Sequence, residues 1–213
     1  RLMAEKYATK EIVYEKIVYL RSQLMLPKGT EHFMSDLHGA YDSFFHILNN
    51  CSGVIKEKVD YCFGERMTEE DKAEFCTLIY YPREKVEQLA AEGKNTVIGY
   101  QQSLANLLEL TKLMSWKFPA SKVYSYIPKR YESVIVELMN TRPEQDEAQL
   151  FYYKQLIETI VEIGGGTDYI EAFSVLIKRL AVERIHIVGD FFDRGDRPDG
   201  ILDLLMEHPS VDI

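Results

Sequence analysis

The chain is short of cysteine, of long apolar runs and of basic residues, and each shortage excludes something. Its three cysteines, Cys51, Cys62 and Cys76, are odd in number and form no C-x-x-C pair. That argues against a disulfide framework or a zinc ribbon and for a reducing cytoplasm. No stretch approaches the roughly 20 apolar residues of a transmembrane helix. The opening Arg1-Leu2-Met3-Ala4-Glu5-Lys6 is too charged for a secretory signal. Lys plus Arg number 25 against 34 Asp plus Glu, a net charge of −9. Bulk binding to nucleic acid or an anionic membrane needs a positive field, so neither is expected as a partner. A small phosphorylated substrate stays open, because a metal cluster can hold one whatever the net charge. There is no internal repeat and no low-complexity tract. What is present is an ordinary globular composition, 46% apolar and 28% charged. A chain of 213 residues is long enough to bury roughly 70% of its extended surface without covalent staples.

The pattern divides the chain in three. Over 1–53, Val13, Ile17, Leu20 and Leu24 recur at helical spacing behind a Thr9 cap, and Pro27-Lys28-Gly29 ends that helix. An extended segment, His32-Phe33-Met34-Ser35, leads to the turn Asp36-Leu37-His38-Gly39. A second helix follows from Ala40 to Ser52-Gly53. Residues 54–166 read as helical, rich in tyrosine and charge. Thr68-Glu69-Glu70-Asp71 resembles a capping box and Pro82 suits a first helical position. Leu104, Leu107, Leu108 and Met114 mark one amphipathic helix of this stretch; Leu150, Tyr153, Ile157, Ile160 and Val161 mark another. It is expected to be an inserted helical subdomain with Gly164-Gly165-Gly166 as its hinge. Over 167–213 an α/β rhythm returns. Thr167-Asp168 is expected to cap a helix with the buried side Tyr169, Phe173, Leu176 and Leu180, followed by a strand over Arg184 to Val188. Pro198 then opens a helix that ends at His208-Pro209, and a strand begins at Val211-Asp212-Ile213.

Two strand-to-helix turns carry the chemistry, at the carboxyl ends of strands where open α/β sheets build their sites. In the first, Asp36 and His38 can aim a carboxylate and an imidazole at one cation, and Gly39 opens a helix whose N-terminus favours anions. Alone, Asp-x-His is a loose pattern, equally suited to a turn former and an exposed histidine. In the second, Gly189-Asp190-x-x-Asp193-Arg194-Gly195 fixes five positions after a buried strand. Asp190 is placed to bridge two metals. Arg194 offers a planar fork to a phosphate, and Asp193 is expected to orient a ligand or a histidine. Arg197 is near enough to Arg194 to reach a second phosphate. The remaining histidines have plainer readings: His186 is structural, His46 packs, and His32 and His208 face solvent. Asp42 complements its helix dipole, and Asp196 and Asp199 serve turn and cap. The tyrosines of 54–166 suit helix packing, oligomer contacts or a lid.

Both motifs in this order resemble the calcineurin-like metallophosphoesterase superfamily. With Asp36 and Asp190 154 positions apart, the chain is similar to the bacterial class III fructose-1,6-bisphosphatases along essentially its whole length. That resemblance implies the first half of an α/β/β/α metallophosphoesterase sandwich with a long helical insertion. It also implies a two-metal phosphatase using Mn2+, with Mg2+ possible. Asp36, His38 and Asp190 would be metal ligands; Arg194 would bind the substrate phosphate. Asp193 would support the histidine that protonates the leaving oxygen. Two metals lower the pKa of a shared water and neutralise phosphate oxygens, and oxygen-rich ligands without thiolate suit manganese or magnesium. The expected reaction is removal of the 1-phosphate of fructose 1,6-bisphosphate in gluconeogenesis, in the cytoplasm, by a protein that can form homo-oligomers. Phosphoproteins or dinucleoside polyphosphates are the alternative substrates, and a non-catalytic scaffold is the alternative class. The superfamily continues with a Gly-Asn-His and two more histidines that this sequence does not contain, so the chain reads as the first part of a longer one, inactive or nearly so alone.

Overall fold

The computed structural model describes residues 6–207 and 211–212. Strands β1 (Glu31–Met34), β2 (Arg184–Ile187) and β3 (Val211–Asp212) form a parallel sheet in that spatial order. β1 pairs with β2 from Glu31 opposite Arg184 to Met34 opposite Ile187. The ladder is lengthened by Glu183 N–H to the Thr30 carbonyl and Val188 N–H to the Met34 carbonyl, both 2.8 Å. Parallel neighbours need a crossover, and between β1 and β2 it comprises most of the chain.

That crossover is helical throughout. Its helices are α2 (Tyr41–Asn50), α3 (Val54–Phe63), α4 (Glu69–Tyr80), α5 (Pro82–Ala91), α6 (Val97–Ser115), α7 (Ala120–Tyr126), α8 (Glu132–Asn140), α9 (Glu147–Glu162) and α10 (Gly166–Ala181). Before β1 lies α1 (Lys10–Leu24), and after β2 lies α11 (Pro198–Glu207). The local signals act as expected. The Thr9 hydroxyl accepts from Ile12 N–H, Thr68 and Asp71 form a reciprocal capping box on α4, and Pro82 is the first residue of α5. The stripe of α1, by contrast, is uncovered: no residue of that helix is buried.

α10 is the centre of the core. Ile170, Phe173, Leu176, Ile177 and Leu180 are each at most 1% exposed, and each such side chain contributes roughly 1.5–3 kcal/mol of burial. They pack chiefly on α6 and also on α4, α5 and α7. One apolar cluster therefore runs from Leu37 and Phe44 beside the sheet, through α10, into Leu107 and Leu110 of α6. The triple glycine is open at Gly164, where a Cβ would meet nothing within 4 Å, and packed at Gly166. A Cβ on Gly166 would stand 2.6 Å from the Tyr100 ring. α10 begins at Gly166 with Gly165 as its cap residue, not at Thr167-Asp168. Thr167 instead places its hydroxyl 3.0 Å from the Tyr100 hydroxyl, which takes it out of capping.

Two histidines are anchored more firmly than their sequence surroundings suggest, and a third is less exposed. His46 Nδ1 lies 2.6 Å from the Tyr81 hydroxyl, so it is hydrogen-bonded as well as packed. His186 stacks on Phe33 at 4.7 Å. His32 is half-buried, not solvent-facing, and burial lowers its pKa. His208 lies outside the described residues.

A half-buried lysine ties three helices. Lys178 Nζ donates to Asn49 Oδ1 at 2.6 Å and to the Tyr80 carbonyl at 2.8 Å, at the ends of α2 and α4. Cys51 lies beside it, its thiol donating to the Lys178 carbonyl at 3.7 Å. Burial lowers the lysine to about 8 and raises the Cys51 thiol to about 12. Because the lysine is depressed from 10.5, the unfolded chain holds the extra proton between those values, and stability from this group rises with pH across that window. The thiol acts oppositely above its unfolded value of 9.0. The lysine's share is therefore read as a difference. The stability of the parent relative to Lys178→Met should rise by ~1 kcal/mol from pH 8 to 9, measured by denaturant midpoints. A gap that stays constant with pH would show Lys178 to be unperturbed.

Candidate metal centre

The two polar turns meet at the carboxyl ends of β1 and β2. Leu37 and His38 N–H both donate to the Asp190 carbonyl, at 2.8 and 3.1 Å, and Gly39 N–H donates to the Phe191 carbonyl at 2.9 Å. In return Asp190 N–H donates to Asp36 Oδ1 at 3.1 Å. This lacing holds two non-glycine residues in the left-handed region, His38 at φ 48° and Arg194 at φ 73°. Such conformations cost about 1–3 kcal/mol each and persist only where the surroundings over-determine them.

The contact is closed by glycine. A Cβ on Gly195 would lie 2.1 Å from the His38 carbonyl and 2.4 Å from Gly39 Cα. Backbone touches backbone there, and nothing larger fits.

His38, Asp190 and Asp193 each bring a donor atom within 4.8 Å of the others. His38 and Asp190 are two of the three ligands expected from the sequence. Asp36, the third, is not in that group; one of its oxygens is held by the Asp190 amide and the other is free of that bond. Asp193 enters as the additional member. Its Oδ1 accepts from His38 Nδ1 at 2.6 Å, which fixes the imidazole and leaves Nε2 as the nitrogen available to a cation. The hydrogen bond with His38, helped by the charge of Arg194, lowers the Asp193 pKa. Arg194 meets Asp193 Oδ2 through Nε at 3.2 Å, so its two terminal nitrogens remain for an anion. The donor set, one imidazole and carboxylates without thiolate, fits a divalent ion such as Mn2+ or Mg2+.

Tyr41 borders these turns in a way that sequence reasoning missed. Its ring lies 4.1 Å from the Arg197 guanidinium carbon, a contact between distant segments that no local spacing signals.

Comparison with known proteins agrees on one family. The model of the family described as Firmicute fructose-1,6-bisphosphatase matches residues 1–213. Curated relatives named fructose-1,6-bisphosphatase class 3 include those of Clostridium acetobutylicum, 43% identical over 212 residues, Clostridium tetani, 42% over 213, and Clostridioides difficile, 39% over 213. Each alignment covers 100% of this chain and 32% of the relative, so the chain spans about a third of their length. No solved structure matches. Among the described residues no helix is long and apolar enough to cross a membrane. With residues 1–213 matched from end to end, the chain belongs to the Firmicute fructose-1,6-bisphosphatase family.

Proposed function

We propose that this chain supplies the metal-binding and phosphate-binding turns of a cytoplasmic phosphatase that removes the 1-phosphate of fructose 1,6-bisphosphate, in gluconeogenesis, on a metallophosphoesterase fold. The observation that carries the reading is the convergence of His38, Asp190 and Asp193 within 4.8 Å at two laced strand ends. Arg194 stands beside them. Water adds to phosphorus, the bond from phosphorus to the sugar oxygen breaks, and that oxygen leaves with a proton, giving fructose 6-phosphate and phosphate.

Asp36, His38 and Asp190 would hold Mn2+, or Mg2+, with Asp193 behind the His38 ring. A divalent pair supplies charge neutralisation on the phosphate and a more acidic water. The protein's own part is placement. Asp193 holds the His38 ring, the Asp190 backbone locks the two turns together, and Arg194 offers paired N–H donors to phosphate oxygens. Holding these groups before substrate arrives removes an entropic cost from the reaction.

The test is phosphate release by the protein at the full length of its relatives, with manganese, comparing fructose 1,6-bisphosphate, a phosphopeptide and a dinucleoside polyphosphate. Selective release from the sugar bisphosphate is expected. Preference for either other substrate would replace the substrate and keep the metal centre. No release from any, in a protein that binds no manganese, would leave a scaffold.

A further inference from the structure

Arg197 sits three residues beyond Arg194, yet the two arginines are held differently. Arg194 is paired with Asp193. Among the described residues Arg197 has no ion-pair partner, although its side chain is fixed. Its guanidinium carbon lies 4.1 Å from the centroid of Tyr41, well inside the ~6 Å range of a cation–π contact. Its backbone is fixed as well: Arg197 N–H reaches the Gly39 carbonyl at 3.4 Å, and its own carbonyl accepts from Ile201 N–H at 3.3 Å. Tyr41 is braced in turn by a stacked Phe45 at 5.8 Å.

Space for this stack is cleared by Gly200. A Cβ there would stand 2.7 Å from Tyr41 Cδ2 and 3.3 Å from Arg197 Nη2. The arrangement is therefore an exposed, unneutralised guanidinium, pre-positioned by an aromatic ring, on the same turn as the phosphate-facing Arg194. An arginine without a carboxylate partner keeps its N–H fork for an incoming dianion, and little side-chain freedom remains to be lost on binding.

We infer that Arg197, held by Tyr41, binds the second phosphate of a sugar bisphosphate and sets the preference for bisphosphates over monophosphates. This rests on the phosphatase reading above, and names the group that would read the distal end of its substrate. Tyr41 is a positioning residue, because its contact is with the arginine.

The test compares fructose 1,6-bisphosphate with fructose 1-phosphate, the same reacting ester without the distal phosphate. In the full-length protein, Arg197→Met should weaken equilibrium binding and kcat/KM for the bisphosphate about 10- to 100-fold, the size of a charge-assisted hydrogen-bond pair. The loss on the monophosphate should be at least tenfold smaller. Tyr41→Leu should give part of the same selective loss, mainly in KM, and Tyr41→Phe, which keeps the ring, should restore it. Equal losses on both substrates, no loss on either, or a parent protein with no preference for the bisphosphate would each overturn the inference. A parent that binds both sugars but hydrolyses neither would sink the phosphatase reading, and the binding ratio would still decide the role of Arg197.

Discussion

In the protein at the full length of its relatives, Asp190→Ala should abolish manganese binding and lower phosphate release by more than ~100-fold, with the fold intact. The structure makes this substitution unusually clean. Asp190 does two things with different atoms: its carbonyl accepts the Leu37 and His38 amides and its amide donates to Asp36, while its carboxylate stands with His38 and Asp193. Alanine keeps the backbone bonds and deletes only the carboxylate. Groups that merely orient a metal ligand cost 10- to 100-fold when removed, so removal of a ligand itself should exceed that range. The measurements are metal content by mass spectrometry, phosphate release, and thermal unfolding in chelator. Retained manganese and turnover would remove Asp190 from the centre. A large fall in melting temperature in chelator would instead assign it a structural role.

The parts of the fold legible in the sequence are those set by neighbours along the chain. The α4 capping box needed only Thr68 and Asp71, and α5 only Pro82, so both are where spacing puts them. The strand expected over Arg184 to Val188 is present as Arg184–Ile187, with Ile185 and Ile187 buried. α10 shows where local reasoning stops. Thr167 is a competent cap, but the Tyr100 hydroxyl from α6 engages it, and the helix starts one residue earlier on glycine. The apolar stripe of α1 was equally readable, yet no residue of that helix is buried. Periodicity says which face is apolar and not what, if anything, covers it.

The same division runs through the site. Gly-Asp-x-x-Asp-Arg-Gly could be singled out because the motif is contiguous. The pairing of Asp193 with His38 was invisible, since it joins turns 155 residues apart. Sequence reasoning gave Asp193 a histidine to orient, and the one it touches is His38 itself. The stacking of Arg197 on Tyr41 was hidden for the same reason, which left Arg197 with proximity to Arg194 as its only recommendation.

Gly195→Ala should be as damaging as loss of a metal ligand, although it adds one methyl group and touches no ion. The new Cβ would lie 2.1 Å from the His38 carbonyl and 2.2 Å from the Gly39 carbonyl carbon, and all the nearest atoms are backbone. A flexible side chain could swing aside; these two turns are laced by Leu37, His38 and Gly39 amides and cannot. Relief requires separating them by about an ångström, which draws His38 away from Asp193 and Asp190. A misplacement of about that size costs on the order of 10²-fold in rate, and overpacking adds roughly 1–3 kcal/mol of destabilisation. Gly93→Ala is the matched control. It sits at φ +68° with nothing within 4 Å of its Cβ position, so it should cost about 1–2 kcal/mol of backbone strain and leave turnover unchanged. Measuring kcat and denaturant midpoint for both variants, in the protein at the full length of its relatives, separates the two effects. If Gly195→Ala lost stability like the control and kept its rate, the two turns would not need their close approach, and the convergence of His38, Asp190 and Asp193 would not be what the chemistry depends on.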